Sequence, residues 1–212
     1  MTQYFITGTD TGVGKTIVSA VLTFALQSHY WKPIQSGIAD ETPDTEQVQH
    51  LASLNNQSII PSTYTLQASL SPDQAAQQEG VTIDLLKCQL PTTMQSLIVE
   101  GAGGVFVPLN DQYCMMDLMK QLNLPVIIVS RGTLGTINHT LLTIAMLRQR
   151  HIPIQGVIFN GELNPDNQRA IEKWGEVKTL LHVPHFESLS RHDFQAWVLK
   201  KKSLILEALQ CH

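Results

Sequence analysis

Four apolar runs limit what this chain can fold into: Gln3–Thr7 (QYFIT), Ser96–Glu100 (SLIVE), Pro125–Ser130 (PVIIVS) and Ile154–Asn160 (IQGVIFN). They are short, rich in β-branched residues and almost uninterrupted by polar ones. That pattern belongs to strands buried on both faces rather than to half-exposed strands, which alternate. Lys15–Leu26 reads as a helix after the first run, and Ile137–Arg150 (INHTLLTIAMLRQR) as a helix between the last two. A further short strand is expected near YWKPI, Tyr30–Ile34. Strands alternating with helices predict an α/β fold, a parallel sheet with helices on both faces. At 212 residues the chain suits a single domain, residues 1–212, large enough to bury a core without disulfides or a structural metal. Residues 40–90 are polar and Gln-rich and read as an irregular insertion in that domain, with a helix start at Ser71-Pro72-Asp73. Residues 193–210 read as an amphipathic helix with Lys200, Lys201 and Lys202 exposed.

Composition excludes several functions. Charged residues make up 15% of the chain and the formal net charge is -4, which gives no global attraction to nucleic acid or to an acidic lipid surface. Cys88, Cys114 and Cys211 are far apart and form no C-x-x-C pair, which removes zinc-knuckle and redox motifs. Reduced thiols, the lack of a signal-like N-terminus and the lack of a bilayer-length apolar run lead to the expectation of a cytoplasmic protein.

The chemistry begins at Gly8–Thr16, GTDTGVGKT, between the first strand and the first helix. A phosphate-binding loop places four residues between two glycines, followed by Lys and Ser or Thr. Here Thr9 holds the first-glycine slot and Gly8 stands one place early. The remaining parts are in order. Gly12 and Gly14 permit backbone angles closed to other residues, and the following helix N-terminus offers unpaired N–H groups to phosphate. Lys15 would reach the β- and γ-phosphates, and the Thr16 hydroxyl would ligate Mg²⁺. A dinucleotide fingerprint fails, because Ile17 and Phe106 stand where third glycines belong. Glu100 ends an apolar strand before Gly101-Ala102-Gly103-Gly104, where a second metal-binding acid is expected at the C-terminal edge of the sheet. The domain is therefore expected to be P-loop NTPase-like, binding nucleotide phosphates with Mg²⁺ as cofactor. His139 has no nucleophile motif beside it and reads as structural.

Four motifs in this order, GTDTGVGKT, KPIQSG, VEGAGGVFVPL and LGTINHTLLT, resemble those of the dethiobiotin synthetases over most of the chain, and the early Gly8 resembles that family's own variant loop. The resemblance implies an ATP- and Mg²⁺-dependent ligase that joins CO2, supplied as bicarbonate, to 7,8-diaminononanoate and closes a cyclic urea. By motif, Gly12, Val13, Gly14, Lys15 and Thr16 would hold the triphosphate of ATP, the co-substrate, and Ile17, Gly101, Ala102 and Gly103 would also contact the nucleotide. Thr16, Glu100 and an acid after KPIQSG would bind Mg²⁺; Asp44 fits best, with Asp40 and Glu41 as near rivals. Thr11, Lys15 and Lys32 would serve catalysis, and Thr11, Lys32 and Ser36 would contact the diamine or its carbamate. Asn160 and Gly161 would meet the adenine edge, with Pro184, His185 and Phe186 lining the base pocket. Gly135, Thr136, Ile137 and Asn138 would bind the substrate carboxylate across a homodimer interface.

The sequence departs from the family pattern at LQSHYWKPI, which is shortened, and at Arg191, where an acid is common. Lys32 precedes a proline, which favours extended backbone, so it should project from the end of a short strand toward the phosphate loop. Three rivals remain: a ParA/MinD-like ATPase switch, disfavoured by Asp10 and the acidic balance; an amide-forming ligase for a larger acid; and a nucleotide-binding paralogue without turnover.

Overall fold

In a computed structural model, which describes residues 2–92, 95–186 and 190–210, the elements begin with β1 (Gln3–Gly8), α1 (Lys15–Leu26), β2 (His29–Trp31) and β3 (Ile34–Gln35). They continue with α2 (Asp44–Ala52), β4 (Ile59–Ile60), β5 (Tyr64–Thr65), α3 (Pro72–Gln78) and β6 (Leu97–Glu100). The remainder comprises α4 (Met115–Leu122), β7 (Val126–Arg131), α5 (Thr136–Gln149), β8 (Ile154–Asn160), α6 (Pro165–Gly175), β9 (Thr179–Val183) and α7 (Arg191–Gln210). Seven strands form one sheet in the order β4-β2-β6-β1-β7-β8-β9, every pairing parallel. The short β3 and β5 pair separately.

The apolar runs are continuous because both sheet faces are covered. Successive strand residues point to opposite sides: Phe5, Val99, Ile128 and Phe159 enter one core, and Ile6, Ile98, Ile127 and Ile158 the other. The first core is closed by α3, α4, α5 and α6 through residues such as Ala75, Met115, Ile144 and Ile171. The second is closed by α1, α2 and α7 through Val18, Leu22, Val48, Phe194 and Ile205. The expected α/β architecture with helices on both faces is the one found.

Some local expectations are refined. Residues 40–90 carry α2, α3 and the short strands β4 and β5, and α3 starts at Pro72, with Ser71 Oγ donating to Asp73 Oδ1 at 2.6 Å. On α7, Lys200 is exposed but Lys201 and Lys202 are half-buried, since adjacent helical positions differ by about 100° and long lysine stems lie along apolar surface. Cys88 is a buried free thiol and Cys114 a half-buried one; Cys211 lies outside the described residues. No helix among the described residues is long and apolar enough to cross a membrane.

Candidate active site

All seven strands of the main sheet run the same way, so Gly8, Trp31, Glu100, Arg131 and Asn160 end at one edge, where ligands bind in open α/β sheets. From Gly8 the chain enters the loop, with Gly12 at φ +69° and Gly14 at φ +96°. Gly14 caps α1; no side chain caps that end and no acid lies in the first turn, which leaves the helix N-terminus open to an anion. The loop is braced from two strands. Asn160 Nδ2 donates to the Val13 carbonyl at 3.1 Å and packs so closely that a Cβ on Gly14 would lie 2.1 Å from it. Arg131 donates to the Thr11 carbonyl at 2.9 Å and pairs with Asp10 at 3.4 Å. Lys15 Nζ folds back onto the Asp10 carbonyl at 3.1 Å.

Strand register builds the charged cluster. Trp31 pairs with Val99, so the next residues, Lys32 and Glu100, come side by side. Lys32 Nζ lies 3.0 Å from Glu100 Oε1 and 2.5 Å from Asp44 Oδ2. Asp44 arrives on the first residue of α2. Thr16 Oγ1, on α1, lies 2.6 Å from Asp44 Oδ1 and 3.3 Å from Glu100 Oε1. Tyr30 donates its hydroxyl to Glu100 Oε2 at 2.9 Å. Lys32 is 4% exposed and Glu100 1%, so this is an internal ion cluster rather than a surface pair.

The charges respond accordingly. Burial disfavours the Lys32 ammonium, but Glu100 and Asp44 outweigh it and hold its pKa above the ordinary lysine value. Burial pushes the Asp44 carboxyl up, while Lys32, Thr16 and Lys15 bring it below its ordinary value. Lys15 is lowered to about 8, first by burial and then by the neighbouring Lys32. Burial and the adjacent Glu100 raise the Tyr30 phenol, which keeps it a hydrogen-bond donor.

The cluster opens into a cleft of about 710 Å³. Of the residues singled out from the sequence, Thr11, Gly12, Gly14, Lys15, Thr16, Ile17, Lys32, Ser36, Asp44, Glu100, Ala102 and Gly103 line it. Of the rivals to Asp44, Glu41 lines the cleft but Asp40 does not. Val13 sends its side chain into the core, and Gly101 is buried against Phe5. Asn160, Gly161, Pro184, His185 and Phe186 lie outside the cleft lining; Phe186 packs on Phe194 and Trp197, ring centroids 5.7 Å away in each case. Gly135, Thr136, Ile137 and Asn138 open α5 away from that cleft, and Thr136 is tied to Ser130 and to the Arg131 carbonyl.

Sequence reasoning did not single out as site residues Gln35, Gly37, Gln47, Ser69, Leu70 and Val107, which also line the cleft, nor Tyr30 behind Glu100. Signals were present but indirect: Gln35 and Val107 lie inside the motifs KPIQSG and VEGAGGVFVPL, and the Ser71-Pro72 helix start is also in the lining. A second cleft of about 610 Å³, formed by Phe106, Pro108 and the α5 residues His139, Leu142 and Met146, shares Thr11 and Val107 with the first.

Two carboxylates, Asp44 and Glu100, with the Thr16 hydroxyl within hydrogen-bond reach of both, are a hard oxygen donor set. Mg²⁺ is commonly held by one or two carboxylates, with water and substrate phosphates completing its shell, so Thr16, Asp44 and Glu100 fit that ion.

A glycine loop at a helix start, facing such a donor set across the end of a parallel sheet, makes this an α/β nucleotide-binding domain of the P-loop type. Solved structures share the fold: MinD of Pyrococcus furiosus, with a TM-score of 0.58 at 15% identity over 99% of each chain, and a ParA family ATPase of Chlorobium tepidum TLS, with a TM-score of 0.56 at 14% identity over 99% of each chain. An AAA domain family matches residues 2–193. The ATP-dependent dethiobiotin synthetase BioD of Paramagnetospirillum magneticum is 49% identical over 183 residues, 86% of this chain and 88% of that protein. Its counterpart in Cytophaga hutchinsonii is 45% identical over 201 residues, 94% of this chain and 97% of that protein. The biotin biosynthesis bifunctional protein BioCD of Bordetella avium is 46% identical over 193 residues, and there the chain spans only 42% of the relative's length. The chain belongs to the ATP-dependent dethiobiotin synthetase family.

Proposed function

We propose that this chain catalyses the ATP- and Mg²⁺-dependent closure of CO2 onto 7,8-diaminononanoate, giving dethiobiotin, ADP and phosphate. The observation that carries the reading is the Lys32–Asp44–Glu100–Thr16 cluster beside the phosphate loop, with Lys32 and Glu100 buried and Asp44 and Thr16 half-buried, in a chain related to dethiobiotin synthetases.

In this reading one amine captures CO2 as a carbamate. A carbamate oxygen then attacks the γ-phosphorus, and the bond to ADP breaks. The second amine attacks the carbonyl of the resulting carbamic–phosphoric anhydride, and phosphate departs with the carbamate oxygen. Lys15 holds the β- and γ-phosphates, with the loop amides around them. Lys32 is the cation for the carbamate, since its ammonium is already fixed at the cleft wall. Bound Mg²⁺ would neutralise charge on the transferring phosphoryl group, held by Thr16, Asp44 and Glu100. Positioning and charge do the remaining work.

Two unfilled acceptors suit a diamine. Gln35 Oε1 and Ser36 Oγ are buried with no hydrogen-bond partner among the described residues, and both residues line the cleft. Amine N–H groups would satisfy them. An apolar substrate tail could run from Thr11 and Val107 into the second cleft, past Leu142 and Met146. The start of α5, Gly135–Asn138, would take the tail carboxylate from the neighbouring subunit of a homodimer. Leu134, Phe106 and Leu142 are exposed, which supports a covered face there. Asn160 and Gly161, with Pro184, His185 and Phe186, would meet the adenine. An ATP-consuming step of this kind goes with a cytosolic location.

ATP turnover that begins only when bicarbonate and the diamine are both present is the expected result. Turnover indifferent to the diamine but raised by DNA or lipid vesicles would contradict the reading and favour an ATPase switch.

A further inference from the structure

Glu100 uses its two oxygens differently. Oε1 is shared by Lys32 and Thr16, both at the cleft. Oε2 turns the other way and accepts from the Tyr30 hydroxyl at 2.9 Å. Tyr30 is fully buried, with its ring in the core beneath α1. The strand explains the geometry. Tyr30 pairs with Ile98 and Trp31 with Val99, and alternate residues share a face, so Tyr30 and Lys32 approach Glu100 from one side of the sheet at successive same-face positions. A phenylalanine would fill the same apolar space; the hydroxyl adds a single directed hydrogen bond to a carboxylate.

We propose that Tyr30 is a positioning residue for metal binding: its hydroxyl fixes the Glu100 carboxylate so that Oε1 alone is presented to the ion. The inference rests on the reading of Glu100 as a Mg²⁺ ligand. The last torsion of a glutamate is broad and roughly two-fold. Without Tyr30, both oxygens turn between the core and Lys32. Mg²⁺ demands near-ideal octahedral geometry from single oxygens, whereas Ca²⁺ accepts looser and bidentate carboxylates. Tyr30 therefore favours Mg²⁺ over larger ions, in addition to raising affinity. Groups that orient a metal ligand in this manner typically contribute tenfold or more to metal affinity.

The test is a calorimetric titration of ADP without metal, with Mg²⁺ and with Ca²⁺, on the wild type, Tyr30→Phe and Glu100→Gln. Tyr30→Phe keeps the ring, and a melting curve verifies that it folds. The expected result is that Tyr30→Phe weakens Mg²⁺-dependent ADP binding about tenfold and the Ca²⁺-dependent binding clearly less, with metal-free ADP binding unchanged. A tyrosine that merely fills the core would weaken all three together or none, and either outcome overturns the inference. If Glu100→Gln removes the Mg²⁺ dependence while Tyr30→Phe matches the wild type, the inference fails and the metal-ligand reading survives. If Glu100→Gln also keeps full Mg²⁺ dependence, both fail.

Discussion

Gly12 and Gly14 sit two residues apart in the phosphate loop, both with left-handed backbone, yet alanine at each should cost different amounts. Gly12 has φ +69° and nothing within 4 Å of a built Cβ. Gly12→Ala therefore meets backbone strain alone, about 1–2 kcal/mol. Gly14 has φ +96°, and its Cβ would lie 2.1 Å from Asn160 Nδ2 and 2.7 Å from Asn160 Cγ. The Asn160 amide must swing away and give up its bond to the Val13 carbonyl, a net loss of about 1 kcal/mol. Gly14→Ala should then cost roughly 2–3 kcal/mol, against roughly 1–2 for Gly12→Ala. For a chain of this size each kcal/mol lowers Tm by about 2–4 °C. The decisive comparison is a double-mutant cycle by urea unfolding in metal-free buffer. In an Asn160→Ala background, the extra cost of Gly14→Ala should vanish while that of Gly12→Ala stays. If Gly14→Ala costs no more than Gly12→Ala, or if the extra cost survives without the Asn160 side chain, the claim that β8 braces this loop is wrong.

Three further outcomes follow from the same geometry. Lys32→Ala should lower kcat by about 10²–10³ while ATP still binds, with Lys32→Arg a partial rescue because its planar group is larger; because Asp44 and Glu100 lose their cation, Mg²⁺ should also raise the Tm of Lys32→Ala more than that of the wild type, and wild-type kcat in Lys32→Ala would refute the role. In metal-free protein the Asp44 carboxyl is held below its ordinary value of 3.8, burial being outweighed by Lys32 and Thr16; a depressed carboxyl stabilises above its unfolded pKa and loses that contribution as pH falls through the folded one, so the urea-midpoint gap between wild type and Asp44→Asn should close below about pH 4, and a gap that persists through the acid limb would contradict the pairing. Asn138→Ala should raise the KM for the diamine more than that for ATP, and the active species should be a dimer by light scattering; a fully active monomer would remove the proposed shared site.

The four apolar runs show how far local pattern reaches. β8 spans the residues expected, Ile154–Asn160, and α1 the expected Lys15–Leu26, because burial on both faces and a glycine start leave clear marks. β9, Thr179–Val183, left none: it is five residues long with polar Thr179 and His182 among its apolar ones. α4 starts at Met115 with Cys114 as its N-cap, whose backbone N–H donates to Asp117 Oδ2 at 2.8 Å, a pairing that the usual cap residues do not announce. At the site, the loop residues and Glu100 at its strand end were legible as cleft lining, because a glycine loop before a helix and an acid at the end of an apolar strand leave local marks. Ser69, Leu70 and Gln47 were not, since no local rule says which polar segment folds over the sheet edge. Tyr30 was hidden for a different reason: its sequence neighbours describe only a core strand, and the partner of its hydroxyl is 70 residues away.

The most direct measurement supplies the protein with ATP, Mg²⁺, 7,8-diaminononanoate and ¹⁸O-labelled bicarbonate, then weighs both products. Attack of a carbamate oxygen on the γ-phosphorus predicts dethiobiotin in step with ADP, and inorganic phosphate carrying one ¹⁸O. ADP formed without the cyclic urea would contradict the proposed activity, and cyclic urea formed alongside unlabelled phosphate would contradict the anhydride route.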